Sequence, residues 1–319
     1  MNLTQRIDSI DDPRVAAYRN LRDRTLRGES IFVAEGRLLT ARLLQSSYAT
    51  ESVFVADEFV AEFAPLVPAG VPIYVAAEPL LLEIVGFPFH RGALAVGRRG
   101  PDLSLDAMLG AVSCKKRNEP SPPLPPGEGR GEGTLLADGQ LLIRNALTPC
   151  PSPKGRGEVL AKPLSLVICP EITKPENMGL IFRTAAGLGV DGIVLGQRCC
   201  DPFSRRCLRV SMGAVLRVPF VKSRDLLTDL RRLYDSWGVE LLAATLDADA
   251  EQLSEVRWPS RAGLVFGNEF SGLDETSLGV CPRRVTIPMR SGTDSLNLGV
   301  AAGIFVYELM KSRQISRHT

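Results

Sequence analysis

Residues 164–189, LSLVICPEITKPENMGLIFRTAAGLG, change periodicity part-way along. LSLVIC is a short apolar run stopped by Pro170, which reads as a strand. Beyond Pro175 the apolar stripe Met178, Leu180, Ile181, Phe182 and Ala185 has helical spacing, with Asn177 a candidate N-cap and Gly187 or Gly189 the stop. The same alternation continues outward. GIVLGQ (192–197) predicts a strand, and RCCDPFSRRCLRVSMGAVLRVPF (198–220) runs from loop to helix to strand. RDLLTDLRRLYDSWG (224–238) is an amphipathic helix and ELLAATLD (240–247) a strand. AGLVFGNEFSGL (262–273) is a strand entering a glycine-rich turn, RRVTIPM (283–289) a strand, and SLNLGVAAGIFVYELMKSR (295–313) a final apolar helix. Strand–helix alternation over 163–312 predicts an α/β unit with a parallel sheet.

Residues 1–100 read as a smaller α/β unit. RVAAYRNLRDRTLRGE (14–29) has Val15, Tyr18 and Leu21 on one face, which predicts a helix ended by Gly28. IFVAEGRLLTARLLQS predicts a strand, a turn at Gly36 and a helix. SVFVADE, VPIYVAA and ALAVGRR are valine-rich apolar runs expected as strands of a mostly parallel sheet, with GFPFHRG (86–92) a loop. Residues 101–162 differ: 8 of the 34 residues from 120 to 153 are proline, against 23 in all 319. PSPPLPPGEGRGEG and TPCPSPKGRGE echo one another from Pro-Ser-Pro to Gly-Arg-Gly-Glu. Such low complexity predicts a disordered linker insertion, or else a docking arm. Residues 313–319 are expected to be a tail.

Composition excludes several classes. The chain is 45% hydrophobic and 23% charged, an ordinary globular balance. Lys+Arg 38 against Asp+Glu 36 leaves a formal charge of +2, so no partner is held by bulk charge, though a local basic patch stays open. The polar start MNLTQRIDSIDDP predicts no secretory signal, and LNLGVAAGIFVYELM is too short for a membrane span. The seven cysteines form no C-x-x-C pair, and only His90 and His318 are available, so no metal is expected; free thiols in a reducing cytoplasm are.

Three segments could carry chemistry. In PENMGLIFRTA (175–185), Arg183 inside an apolar stripe needs either a buried carboxylate or a ligand phosphate. In LVFGNEFSGL (264–273), Gly267 and Gly272 allow close backbone approach, and Glu269 is a surface charge or a site carboxylate. Neither a P-loop nor a G-x-G-x-x-G fingerprint occurs. In IPMRSGTDSLNLGVAA (287–302), Asp294 or Ser295 is placed to cap the helix, while Asn297 needs a hydrogen-bond partner.

Together and in this order, the three segments resemble the motifs of the SpoU (TrmH) family of RNA 2′-O-ribose methyltransferases. The match runs through Asn177, Gly179, Arg183, Thr184 and Ala185, then Gly267, Asn268, Glu269, Gly272 and Leu273. It continues through Ile287, Pro288, Met289, Ser295, Leu296, Asn297, Ala301, Tyr307 and Glu308. SMGA (211–214) resembles a further family segment, and residues 1–100 resemble the small substrate-binding domain many members carry. The resemblance implies a C-terminal sheet threaded as a deep trefoil knot. It implies S-adenosylmethionine bound in the knot, a homodimer through that domain, no metal and no membrane partner. Carried over, cofactor contacts fall on Gly267, Ile287 and Leu296, with Thr245 and Met289 beside them. The catalytic set falls on Asn177, Arg183, Glu269, Ser295 and Asn297. The implied substrate is a ribose 2′-OH in structured RNA, ribosomal RNA first and transfer RNA second; an RNA-binding pseudoenzyme is the other alternative. Arg183 serves either as base or as phosphate clamp. Phe270 stands where the family often has a small residue.

Overall fold

A computed structural model describes residues 4–21, 30–87, 92–114, 162–290 and 295–315. The first unit is a five-stranded sheet of β1 (Thr4–Arg6), β2 (Ile31–Glu35), β3 (Thr50–Ala56), β4 (Ile73–Ala76) and β5 (Ala93–Arg98), in the order β1-β4-β3-β5-β2. Helices α1 (Arg37–Leu44), α2 (Val60–Phe63) and α3 (Glu78–Val85) connect the strands. The sheet is mixed, contrary to the expected mostly parallel one: β5 runs antiparallel to both β3 and β2. Strands β2 to β5 are largely buried on both faces, so their apolar runs read alike in either direction. The helix expected over 14–29 is instead a 3-10 helix, Pro13–Tyr18, capped by Asp12. Val15, Tyr18 and Leu21 are buried as the spacing required, but Asn20 takes φ 48 and turns the chain away. Gly28 and most of GFPFHRG lie outside the described residues.

The second unit is a seven-stranded, wholly parallel sheet. Its strands are β6 (Leu164–Cys169), β7 (Gly192–Leu195), β8 (Phe220–Lys222), β9 (Glu240–Ala244), β10 (Glu251–Gln252), β11 (Arg261–Phe266) and β12 (Arg283–Thr286), ordered β10-β12-β9-β11-β6-β7-β8. Helices α4 (Leu105–Cys114), α5 (Pro175–Leu188), α6 (Arg205–Val210), α7 (Leu226–Asp235), α8 (Glu275–Gly279) and α9 (Leu298–Ile315) accompany it. Side chains alternate between two cores, as the strand period demands. Leu166, Ile168, Val194, Leu241 and Val265 pack with α4 and α7, whereas Val167, Ile193, Leu242, Leu264 and Phe266 pack with α5 and α9. Thus α4, within the stretch expected as linker from 101, is docked on this sheet through Leu105, Met108 and Leu109. The proline-rich part, within 115–161, lies outside the described residues, and α9 extends three residues into the expected tail.

One core joins the two units. Phe32, Ala34, Val53, Val55, Ala93 and Ala95 of the first sheet belong to the same cluster as α5, α6 and α9. Phe203 stacks on Phe32 at 4.7 Å between centroids and lies 5.7 Å from Phe220. Two ion pairs flank this contact. Arg99 meets Asp201 through two hydrogen bonds of 3.1 and 2.7 Å, and Arg205 meets Glu35 at 2.6 Å. Both carboxylates are buried.

Candidate active site

The parallel strands deliver three of the five expected cofactor residues, Thr245, Gly267 and Ile287, to one edge. Ala244 pairs with Phe266 on one side and Val285 on the other, so Thr245, Gly267 and Ile287 leave the sheet at nearly one level. This is the carboxyl edge, where open α/β sheets hold ligands. The Thr245 N–H donates to the Val285 carbonyl at 3.0 Å, while its hydroxyl is buried and without a hydrogen-bond partner among the described residues. Ile287, Met289 and Leu296 are half-buried.

Gly267 opens a tight turn. Asn268 and Gly272 exchange two backbone hydrogen bonds of 2.8 and 3.0 Å, and the Asn268 side chain accepts from the N–H groups of Phe270 and Ser271. A Cβ on Gly267 would sit 2.2 Å from the Gly272 carbonyl carbon. The close backbone approach expected at Gly267 is therefore made by its own turn. The same turn presents Phe270 to solvent at 79% exposure, with the Lys174 ammonium 4.4 Å from the ring centroid.

The turn also aims Glu269 at the N-terminus of α5. Its carboxylate accepts from the N–H groups of Thr173 (3.3 Å) and Lys174 (3.1 Å), from the Thr173 hydroxyl (3.1 Å) and from Asn177 Nδ2 (3.0 Å). Burial pushes this carboxyl up, but hydrogen bonds from Asn177 and from backbone N–H groups outweigh it and hold the carboxyl below its usual range. Because a carboxylate only accepts, the Asn177 amide nitrogen faces Glu269 and its oxygen faces away. That oxygen accepts from Asn297 Nδ2 at 3.0 Å, and the Asn297 oxygen accepts from the N–H groups of Gly299 (2.9 Å) and Val300 (3.3 Å). One directional chain of hydrogen bonds thus links Glu269, Asn177 and Asn297, one residue from each motif. Asn177 itself is only 3% exposed.

Residues 165–307 match the model of the SpoU rRNA Methylase family. The chain is 32% identical over 311 residues, 95% of its own length and 90% of the relative's, to a protein of Mycobacterium bovis described as an uncharacterized tRNA/rRNA methyltransferase. The chain belongs to the SpoU family of RNA methyltransferases. It is also 24% identical over 249 residues, covering 77% of this chain and 81% of the relative, to a 23S rRNA (guanosine-2'-O-)-methyltransferase of Acinetobacter baylyi. Among solved structures, an AdoMet-bound rRNA methyltransferase from Sinorhizobium meliloti superposes with TM-score 0.69 at 21% identity, over 97% of this chain and 98% of that one. A SpoU methyltransferase from Streptomyces viridochromogenes with AdoMet gives 0.67 at 18%, over 95% and 99%. At these identities the likeness is one of fold, and it is the SPOUT methyltransferase fold.

In this SpoU-family chain some expected roles move. Asn177 does not cap α5, which starts at Pro175 after Lys174 and ends at Gly189 with φ 81; the carboxylate of Glu269 draws the amide inward instead. Neither Ser295 nor Asp294 is seen to cap the last helix: Asn297 does so, Ser295 is exposed ahead of it, and Asp294 lies outside the described residues. Arg183 is exposed and has no carboxylate partner among the described residues, which removes the buried ion pair. Thr173 and Lys174 were missed as site residues; their donors are legible only as the free N–H groups that open any helix. Two clefts of about 150 and 320 Å³, sharing Pro170, Arg198 and Asp274, include none of the expected site residues. Cys199 and Cys200 are free thiols that burial pushes up to about 11 and about 12, so they are poor nucleophiles.

Proposed function

We propose that this protein transfers the methyl group of S-adenosylmethionine to a ribose 2′-OH in structured RNA, ribosomal RNA before transfer RNA. The observation that carries the reading is the Glu269–Asn177–Asn297 chain, which draws all three motifs to the carboxyl edge of the parallel sheet, together with an exposed Arg183 on α5 that has no carboxylate partner among the described residues. The preference for ribosomal RNA is supported by the name of the Acinetobacter relative, and transfer RNA by the joint name of the Mycobacterium one.

The residues present fit the cofactor. The unsatisfied Thr245 hydroxyl offers a polar contact, and Ile287, Met289 and Leu296 offer apolar walls. Backbone groups at Gly267, Ile287 and Leu296 would hold it, with Thr245 and Met289 alongside. When bound, it supplies an electrophilic methyl on a sulfonium, and the displacement then demands alignment more than acid chemistry. Glu269, Asn177 and Asn297 satisfy one another and act as positioning groups for α5 and α9. A guanidinium stays protonated at any working pH, so Arg183 holds substrate phosphate and stabilises the developing alkoxide, and the hydroxyl proton passes to solvent. Ser295 offers a free hydroxyl to the ribose. The first unit serves as the RNA-holding domain, the C-terminal sheet is threaded as a trefoil knot, and the protein works in the cytoplasm. The exposed stripe Val300, Ile304 and Tyr307, on one side of α9, supports a homodimer.

The test is incubation with methyl-labelled cofactor and RNA, followed by alkaline hydrolysis. Label in alkali-resistant dinucleotides is the expected result. Label on a base, or none with ribosomal or transfer RNA, refutes the reading.

A further inference from the structure

Arginines at the seam between the two units fall into two groups. Arg99 and Arg205 have buried carboxylates, Asp201 and Glu35. Arg42, Arg183 and Arg217 have no carboxylate partner among the described residues, although all three approach one short loop. Arg42, on α1, is half-buried, and its Nε is shielded from solvent with no hydrogen-bond partner. Its stem lies against the loop after α6: a Cβ on Gly213 would come within 3.1 Å of Arg42 Cδ. Met212 (φ 52) and Gly213 (φ 76) turn the backbone there, and the 3-10 helix Ala214–Leu216 that follows ends at Arg217, which is exposed. From the other side, α5 packs on the same segment: a Cβ on Gly179 would sit 2.8 Å from Val210 Cβ. Arg183 is one turn further along that side of α5.

Three like charges gathered without a counter-ion are unfavourable in the isolated protein. The effect is felt at Arg42, whose guanidinium is pushed below its usual range by burial first and then by Arg217 and Arg183. An arrangement of this kind is relieved when an anion enters. Planar forks that converge from three elements match a tetrahedral oxyanion better than they match solvent.

We infer that Arg42 and Arg217 join Arg183 in gripping a backbone phosphate of the substrate RNA, so that both units hold one phosphate across their seam. This rests on the proposed function, which supplies the anion, and it adds two residues outside all three motifs. Arg42 comes from the first unit, so that unit contributes directly to the site next to the reacting ribose.

The test measures binding of a fluorescein-labelled RNA hairpin over a salt series, with calorimetric titration of S-adenosylmethionine and thermal unfolding on the same samples. Arg42→Ala and Arg217→Ala should each weaken hairpin binding about tenfold and flatten the slope of log affinity against log salt by about 0.7 to 0.9. Arg231→Ala, which removes one exposed charge from α7, should change neither. Cofactor affinity should match the wild type throughout. Since Arg42 is half-buried, Arg42→Lys keeps the charge but not the fork, and should recover the salt slope better than the affinity; Arg217→Ala, at an exposed site, keeps the test clear of misfolding. If the wild type binds and methylates RNA while Arg42→Ala and Arg217→Ala keep its affinity and slope, the phosphate grip is overturned and the function stands. If the wild type binds no RNA, both fall.

Discussion

Asn177→Asp should convert the motif-linking hydrogen-bond chain into a pH-dependent weakness. The substitution replaces the Nδ2 that now donates to Glu269 at 3.0 Å with a carboxyl oxygen. Two ionised carboxylates at that distance repel by about 5.5 kcal/mol at an effective dielectric of 20. Taking up a proton at pH 7, from an ordinary carboxyl pKa of about 3.9, costs about 4 kcal/mol. Proton uptake is the cheaper course, and the protonated carboxyl can donate to Glu269 as the amide did. The folded variant therefore holds one more proton than its unfolded chain, so its stability falls as pH rises. Relative to wild type the deficit should be about 4 kcal/mol at pH 7 and shrink by about 1.4 kcal/mol per unit down to pH 5. Wild-type Glu269, held below its usual range, stays ionised over this window and does not blur the comparison. Asn177→Ala removes donor and acceptor together and should cost about 1–3 kcal/mol with no such slope. Urea unfolding at pH 5, 6 and 7 on the three proteins decides it. A deficit of Asn177→Asp that stays constant with pH would refute the directional chain.

Other consequences are simpler to test. Arg183→Ala should leave unfolding within about 0.5 kcal/mol of wild type, as expected for an exposed group with no carboxylate partner among the described residues, yet lower single-turnover methyl transfer about a hundredfold; Arg183→Lys should recover little of it. Loss of thermal stability with activity retained would reverse that assignment. Gly267→Ala forces a Cβ to within 2.2 Å of the Gly272 carbonyl carbon, so thermal unfolding should register a loss of about 1–3 kcal/mol and calorimetry a weaker cofactor. Removing residues 118–158 should preserve folding and methyl transfer, because the Lys162 ammonium already reaches the Ser113 carbonyl at 2.9 Å and so the flanking segments lie close together. A deletion variant that folds but binds RNA more than tenfold more weakly would make the segment a binding arm.

Much of the second unit is legible in one dimension. Most of its strands are short apolar runs and its helices keep a 3.6-residue stripe, whereas the edge strand β10, Glu251–Gln252, has no apolar signal and escapes the sequence reading. The motifs, too, can be matched residue by residue. What escapes is whatever depends on distant partners or on direction. Val15, Tyr18 and Leu21 are spaced by three, which a 3-10 turn satisfies as well as an α-helix does. The antiparallel run of β5 leaves no mark on a doubly buried strand. The helix α4 is hidden by the proline-rich stretch that follows it. Asn177 resembles a cap because caps are common at such positions, whereas its actual partner, Glu269, is 92 residues away. Arg42 and Arg217 stand outside every motif and meet only through the seam between the units.

That seam has a mechanical consequence. Because α4 is already docked on the second sheet, only residues 99–104 cross between the units, and Arg99 is fastened to Asp201 at the start of that crossing. The described flanks of the proline-rich insertion, Ser113 and Lys162, both lie on the second unit. Shared packing around Phe203 sets the spacing of the halves. Under the proposed function the protein works as a ruler: the span from the RNA grip to the methyl donor is a fixed length built into a hydrophobic core. Trimming Phe203 would loosen the shared core that sets this length.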